Sequence, residues 1–256
     1  MTSTVATKQI SSDGTIKLLV RLQDGLEVEA VVMTYDPCTR AASKQAASAA
    51  GRKGALGQAS TKRATLCVSS QVGCKMGCSF CATGLMGELG QLHAGEILEQ
   101  LIHANLASEV PISNVVFMGM GEPLNNYPAV VAACRAMVDQ QLFGLAPSKI
   151  TVSTVGIIPR IATLDADLPG VNLAISLHAP NQELRYRIMP SARPFPIDKL
   201  MKSIDEYCER SGQKVFVQYL RVLLEAYSCV LLCSCAIACT EIIIRTEACA
   251  ACSAGP

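Results

Sequence analysis

Three cysteines in the run Cys74-Lys-Met-Gly-Cys78-Ser-Phe-Cys81 stand at CxxxCxxC spacing. With 13 cysteines in 256 residues, one such three-cysteine spacing should arise by chance about 0.03 times, so the pattern carries information. Three thiolates on one tight loop can each take an iron of a [4Fe–4S] cube and leave the fourth iron to a non-protein ligand. Zinc is the structural alternative. It wants four ligands, and neither His93 nor His103 stands at finger-like spacing. Unrelated buried thiols are the remaining reading. A second string, Met118-Gly-Met-Gly121-Glu122-Pro123-Leu, joins glycines that permit close backbone approach to a carboxylate that suits an amino group. Taken alone, it is equally a plain turn after a strand.

These strings, with Arg63-Ala-Thr-Leu-Cys67-Val-Ser-Ser-Gln71-Val-Gly-Cys74, Ser153-Thr-Val-Gly156 and Ala174-Ile-Ser176-Leu177-His178-Ala-Pro180, resemble the radical S-adenosylmethionine enzymes. Within them the chain is most similar to the dual-specificity RNA methyltransferases that act on carbon 2 of adenine, from about Ile16 to Arg221. The resemblance implies a partial (β/α) barrel that holds a [4Fe–4S] cluster on Cys74, Cys78 and Cys81. It implies S-adenosylmethionine held by Gly121 and Glu122 at the methionine end and contacted by Ser153, Ser176, Leu177 and His178. It also implies Glu29 as the base for the adenine proton and Cys67 as the thiol that resolves a protein–RNA crosslink. From the residues alone, Glu29 is equally a solvent-facing strand position and Cys67 a small buried hydrophobe. The family carries its methyl group on a cysteine near the carboxyl end, and here only Ala250-Ala251-Cys252-Ser253-Ala254-Gly255 is faintly similar, which makes Cys252 the candidate carrier. The implied partners are ribosomal or transfer RNA presenting an unstacked adenine, and an electron donor such as flavodoxin or ferredoxin. A radical enzyme acting on a non-RNA substrate and an impaired binding remnant are the rival readings.

The elements that must position these residues are short β-branched runs separated by helical patterns. Ile16–Val20 and Val28–Val32 read as two strands with Gln23-Asp24-Gly25 as the hairpin turn. Further strands are expected at Thr65–Val68, Asn114–Met118, Lys149–Val152, Val171–Ile175 and Val215–Val217, and helices over Gly95–Leu106, Ala129–Gln141 and Pro196–Ser211. Strand–helix–strand text at this spacing predicts an α/β fold with parallel βα units and chemistry at the carboxyl ends of the strands.

Four segments follow: a β-hairpin segment over 1–38, a basic low-complexity insert over 39–63, the partial barrel over 64–221 and a divergent cysteine-rich tail over 222–256. The insert concentrates Arg40, Lys44, Arg52, Lys53, Lys62 and Arg63, which suits a solvated linker or a contact to RNA phosphate. The tail holds six cysteines without clear periodicity.

Composition bounds the rest. Lys and Arg total 22 against 21 Asp and Glu, which excludes a basic nucleic-acid arm or an acidic tail as the whole protein. Half the residues are apolar and 17% charged, which excludes global disorder. With no Trp and 4% aromatics, the core must be aliphatic. The odd cysteine count and the polar opening from Met1 to Ser12 favour reduced thiols over a secreted disulfide framework. No apolar run reaches the ~18 residues of a membrane span; the nearest is Ala226–Cys239. A cytoplasmic monomer without membrane association is expected, with an organelle as the alternative location.

Overall fold

The computed structural model describes residues 1–35, 62–220 and 238–242. Strand β1 (Thr4–Ile10) pairs antiparallel with β2 (Ile16–Arg21), and β2 with β3 (Glu27–Tyr35). The expected hairpin turn is present, with Gly25 at φ 86° and the Leu22 and Leu26 backbones bonded across it. Strand β1 was not expected. Its TVATKQI sequence is exposed along its whole length, so no alternation marks it.

Strand β4 (Arg63–Cys67) pairs antiparallel with β3, and from there the sheet turns parallel. The chain next forms a separate hairpin of β5 (Gln71–Cys74) and β6 (Gly87–Gln91), then helix α1 (Ala94–Ala107) and strand β7 (Ile112–Phe117). Helix α2 (Tyr127–Val138), β8 (Ile150–Thr154), α3 (Ile158–Asp167) and β9 (Asn172–Ser176) continue the alternation. Helices α4 (Gln182–Ile188) and α5 (Ile197–Ser211) lead to β10 (Phe216–Leu220), and β11 (Ala238–Ile242) adds a last parallel strand. The result is one nine-stranded sheet in the order β1-β2-β3-β4-β7-β8-β9-β10-β11, open at β1 and β11 among the described residues.

The core lies between the sheet and its helices. Leu18, Val28, Leu66, Val115, Phe117 and Val152 are buried on one sheet face against helix residues such as Ile97, Leu101, Val130 and Ile161. Because side chains alternate along a strand, the residues between them point to the opposite face. Helix α5 ends where the sequence predicted, at Gly212 in the left-handed conformation (φ 66°).

Three differences from the sequence reading have physical causes. Helix α3 opens on Ile158-Pro159 and buries only Ile161 and Leu164 along its ten residues, and α4 is only seven residues long, so both are too short to mark a helix in the sequence. The polar GELGQ run of β6 has no apolar face to mark it. Arg63, assigned to the insert, is the first residue of β4 and lies over the Tyr35 ring at 5.2 Å. Residues 39–61 of the insert and, apart from the β11 backbone, the 222–256 tail lie outside the described residues. No described helix is long and apolar enough to cross a membrane.

Candidate active site

Cys74 is the last residue of β5, a strand the sequence did not mark, and Cys78 and Cys81 lie in the turn beyond it. Cys74 and Cys78 are buried and Cys81 partly buried, all three as free thiols. They pack with Met76, Val155, Met189 and Ala192 in a small apolar cluster apart from the main core. Two bonds tie the loop to the end of α4: Ser79 N–H donates to Ile188 O at 2.9 Å, and the Ser191 hydroxyl donates to Met76 O. Burial, then the neighbouring Cys74 and Cys81 sulfurs, pushes the Cys78 thiol up to about 12, and burial raises Cys74 as well. Iron would replace those protons on binding. Among the described residues no three His, Cys, Asp or Glu side chains converge on a single-ion point. A [4Fe–4S] cube asks for something different, one thiolate on each of three irons, and three thiols on one loop suit it.

Beside this loop the chain leaves β7 through the glycine-rich turn. Gly121 has φ 97°, and a Cβ placed on it would lie 2.5 Å from the Cβ of Gln71. Only glycine fits there. Ser70 and Gln71 N–H both donate to Met120 O, and Gln71 Oε1 accepts from Glu122 N–H at 2.7 Å. Glu122 is 3% exposed. Its Oε1 accepts from Leu124 N–H at 3.1 Å and its Oε2 from Val155 N–H at 2.8 Å, with the Thr154 hydroxyl donating as well. A carboxylate offers about four acceptor sites, so roughly one remains for a ligand's ammonium. Burial outweighs these bonds and raises the Glu122 carboxyl to about 7.

The next strands end in a polar group. Ser153 at the end of β8 and Ser176 at the end of β9 both donate to Gln218 Oε1 on β10, at 3.1 and 2.9 Å. Gln218 Nε2 lies 3.2 Å from the Met118 sulfur at the end of β7. The main chain of Gln218 also accepts from Leu177 and His178 N–H, each at 3.1 Å. His178 takes a left-handed backbone (φ 58°), and its ring meets Phe80 of the cysteine loop edge-on at 4.9 Å between centroids. Its Nδ1 is buried without a partner. Burial, then the nearby Arg185 guanidinium, pulls the imidazole down to about 4. A glycine cradle, an acceptor group and an orphaned imidazole nitrogen thus lie beside the cysteines, and their chemistry suits a ligand carrying both charge and hydroxyls.

Two residues of this region escaped the sequence reading. Gln218 reads as the polar position of an alternating strand. Arg185 is fully buried on α4 and donates to Val155 O and Phe195 O, both at 2.6 Å. No local pattern signals either.

Glu29 and Cys67 lie on the sheet face opposite the helices. Val31 opposes Cys67, Cys67 opposes Val116, and Val116 opposes Thr151, so Glu29, Cys67, Ser153, Ser176 and Gln218 share that face by alternation. Glu29 is a diagonal neighbour of Cys67 and is half-exposed, paired with Lys17 Nζ at 2.5 Å. Burial raises the Cys67 thiol to about 11. Cys252 lies outside the described residues.

A family model described as the radical SAM superfamily matches residues 68–224, which include the cysteine loop, the glycine turn and the strand-end residues. The chain belongs to the radical SAM superfamily. Membership implies a [4Fe–4S] cluster and S-adenosylmethionine as cofactors, and the parallel βα units from β4 to β11 agree with the α/β, partial-barrel class expected from the sequence. This radical SAM chain is 40% identical over 220 residues to the probable dual-specificity RNA methyltransferase RlmN of Rhodopirellula baltica, covering 85% of this chain and 53% of that one. It is 41% identical over 214 residues to the ribosomal RNA large subunit methyltransferase N of Nitrosopumilus maritimus, covering 82% and 56% respectively. The crystal structure of a radical SAM methyltransferase from Sphaerobacter thermophilus is similar with a TM-score of 0.72 at 36% identity, over 86% of this chain and 58% of that one. The chain thus spans a little over half the length of these relatives.

Proposed function

We propose that the protein is a radical S-adenosylmethionine RNA methyltransferase that methylates carbon 2 of an unstacked adenine in ribosomal or transfer RNA. The observation that carries this reading is the grouping of the Cys74–Cys81 loop with Glu122, Ser153, Ser176 and His178 at the carboxyl ends of β7, β8 and β9. The RNA methyltransferase names of relatives about 40% identical support it.

When bound, the cluster and S-adenosylmethionine supply the electron, the radical and the methyl group. Cys74, Cys78 and Cys81 each hold one iron as thiolate. The remaining acceptor site of Glu122 holds the methionine ammonium, with the Gly121 backbone close against it, while Ser153, Ser176, Leu177 and His178 line the rest of the cofactor. Glu29, on the same sheet face as Cys67, takes the adenine proton once its pairing with Lys17 opens. Cys67, protonated at neutral pH, gives up its proton and attacks the sulfur through which the carrier cysteine is joined to the RNA. The S–S bond forms as that S–C bond breaks, the electron pair leaves with the RNA-borne carbon, and the RNA is freed, with Cys252 the candidate carrier. A flavodoxin or ferredoxin donates electrons, and the protein works as a monomer in the cytoplasm.

Anaerobically reconstituted protein should bind about four irons and, once reduced, convert S-adenosylmethionine to 5′-deoxyadenosine and methionine. With RNA, mass spectrometry should find 2-methyladenosine. Iron content unchanged in Cys74→Ala, Cys78→Ala and Cys81→Ala would remove the cluster from this loop. A methylated product other than 2-methyladenosine would overturn the substrate assignment.

A further inference from the structure

We propose that Gln218 is a positioning residue of this site: its side-chain amide takes the hydroxyl protons of Ser153 and Ser176 and so presents both oxygens to the ligand as acceptors. The inference rests on the reading of these strand ends as the S-adenosylmethionine site and adds a residue that no motif marks.

A serine hydroxyl carries one proton and two lone pairs, whereas an amide oxygen can only accept. Gln218 is 8% exposed, and its amide lies within 3.1 Å of Ser153 Oγ and 2.9 Å of Ser176 Oγ. The two hydroxyls are 3.4 Å apart. Which end of the amide faces them is set by Met118. Its thioether only accepts, and it lies 3.2 Å from the other end of the amide, so that end is the nitrogen. The oxygen therefore faces the serines, and both hydroxyl protons are committed to it. What the pair offers outward is lone pairs. Such a pair welcomes N–H and O–H groups, such as an ammonium or sugar hydroxyls, and repels a carboxylate. The same residue reaches four strand ends at once. Its side chain spans β7, β8 and β9 from β10, and its carbonyl holds the Leu177–His178 turn.

The test compares Gln218→Met, which fills the space without polar atoms, with Gln218→Glu, which keeps acceptor oxygens toward the serines. S-adenosylmethionine affinity is measured by equilibrium dialysis on anaerobically reconstituted protein. Gln218→Met should weaken binding about tenfold or more, and Gln218→Glu should stay within about threefold of the parent. In a Ser153→Ala/Ser176→Ala background, Gln218→Met should add less than about twofold. Equal losses for Met and Glu, or the same loss for Gln218→Met with and without the serines, would overturn the assignment.

A second readout needs no cofactor. In ligand-free protein carrying 13C-methyl methionine, the Met118 resonance should move in Gln218→Met, and an unmoved resonance would overturn the amide orientation on which the inference stands. A parent protein that binds no S-adenosylmethionine would sink the proposed function instead, and the Met118 resonance would then decide the role of Gln218.

Discussion

His178 combines a backbone conformation that few side chains adopt with an imidazole whose charged form the fold disfavours. Its pKa falls from 6.5 to about 4, so its contribution to stability is full above pH 6.5 and is lost as pH falls through about 4. The loss amounts to about 3 kcal/mol at ~1.4 kcal/mol per pKa unit. Asn tolerates the left-handed backbone and does not titrate. Urea midpoints measured from pH 7 to pH 4 should therefore fall less steeply for His178→Asn than for the parent. Glu122 has the opposite sign. Raised to about 7, its contribution is full below 4.5 and is lost as pH rises through 7. If a cofactor ammonium pairs with it, binding near pH 7 should release about half a proton, and at pH 5 nearly a whole one, as read by calorimetry in buffers of different ionisation enthalpy. The cysteines, Glu122, Ser153, Ser176 and His178 were legible because each lies in a contiguous string whose spacing survives without the fold. Gln218 and Arg185 were not. Ser153 and Gln218 are 65 positions apart, and a lone Gln or Arg says nothing of what the fold will bring to it.

At the scale of elements, α4 acts through one side chain. Arg185 donates to the carbonyls of Phe195 and Val155, and the N–H of that same Val155 donates to Glu122. Among the described residues it has no carboxylate partner, and its Nε is unsatisfied. Removing the guanidinium would leave the buried Val155 carbonyl and the part-buried Phe195 carbonyl without donors. Arg185→Ala should lower stability by about 2–4 kcal/mol, seen as a lower urea midpoint. Arg185→Lys should recover little of it, because a single ammonium on a flexible stem does not reproduce the planar fork that reaches both carbonyls. A full rescue by Lys would show that only charge matters. The helices with long amphipathic periods, α1, α2 and α5, were all legible in advance. Helix α4, which holds Arg185, was not, since two turns rich in charge carry too few apolar positions to set a period.

Across the whole molecule, the amino-terminal strands continue the parallel sheet through the β3–β4 pairing. Val28, Ala30 and Val32 belong to the same core as Val115 and Val152. Amide exchange should accordingly protect β3 as strongly as β8, and protection about a hundredfold weaker in β3 would mark a separately unfolding unit. The parallel half of the sheet was readable from the rhythm of strand and helix. The small hairpin that delivers the cysteines was not, because its residues are chosen for a close backbone fit, as at Gly73, where a Cβ would lie 1.9 Å from Gly87 O. That hairpin bears on how the protein matures. The Ser191 hydroxyl reaches back 115 residues to Met76, and Met189 and Ala192 form part of the floor beneath the thiols. A nascent chain that has emerged only as far as α2 exposes all three cysteines and lacks that floor. Iron loading accordingly belongs late in biogenesis, after residue 192 has left the ribosome and α4 has docked, and a delivery system that acted earlier would meet three unplaced thiols on an open loop.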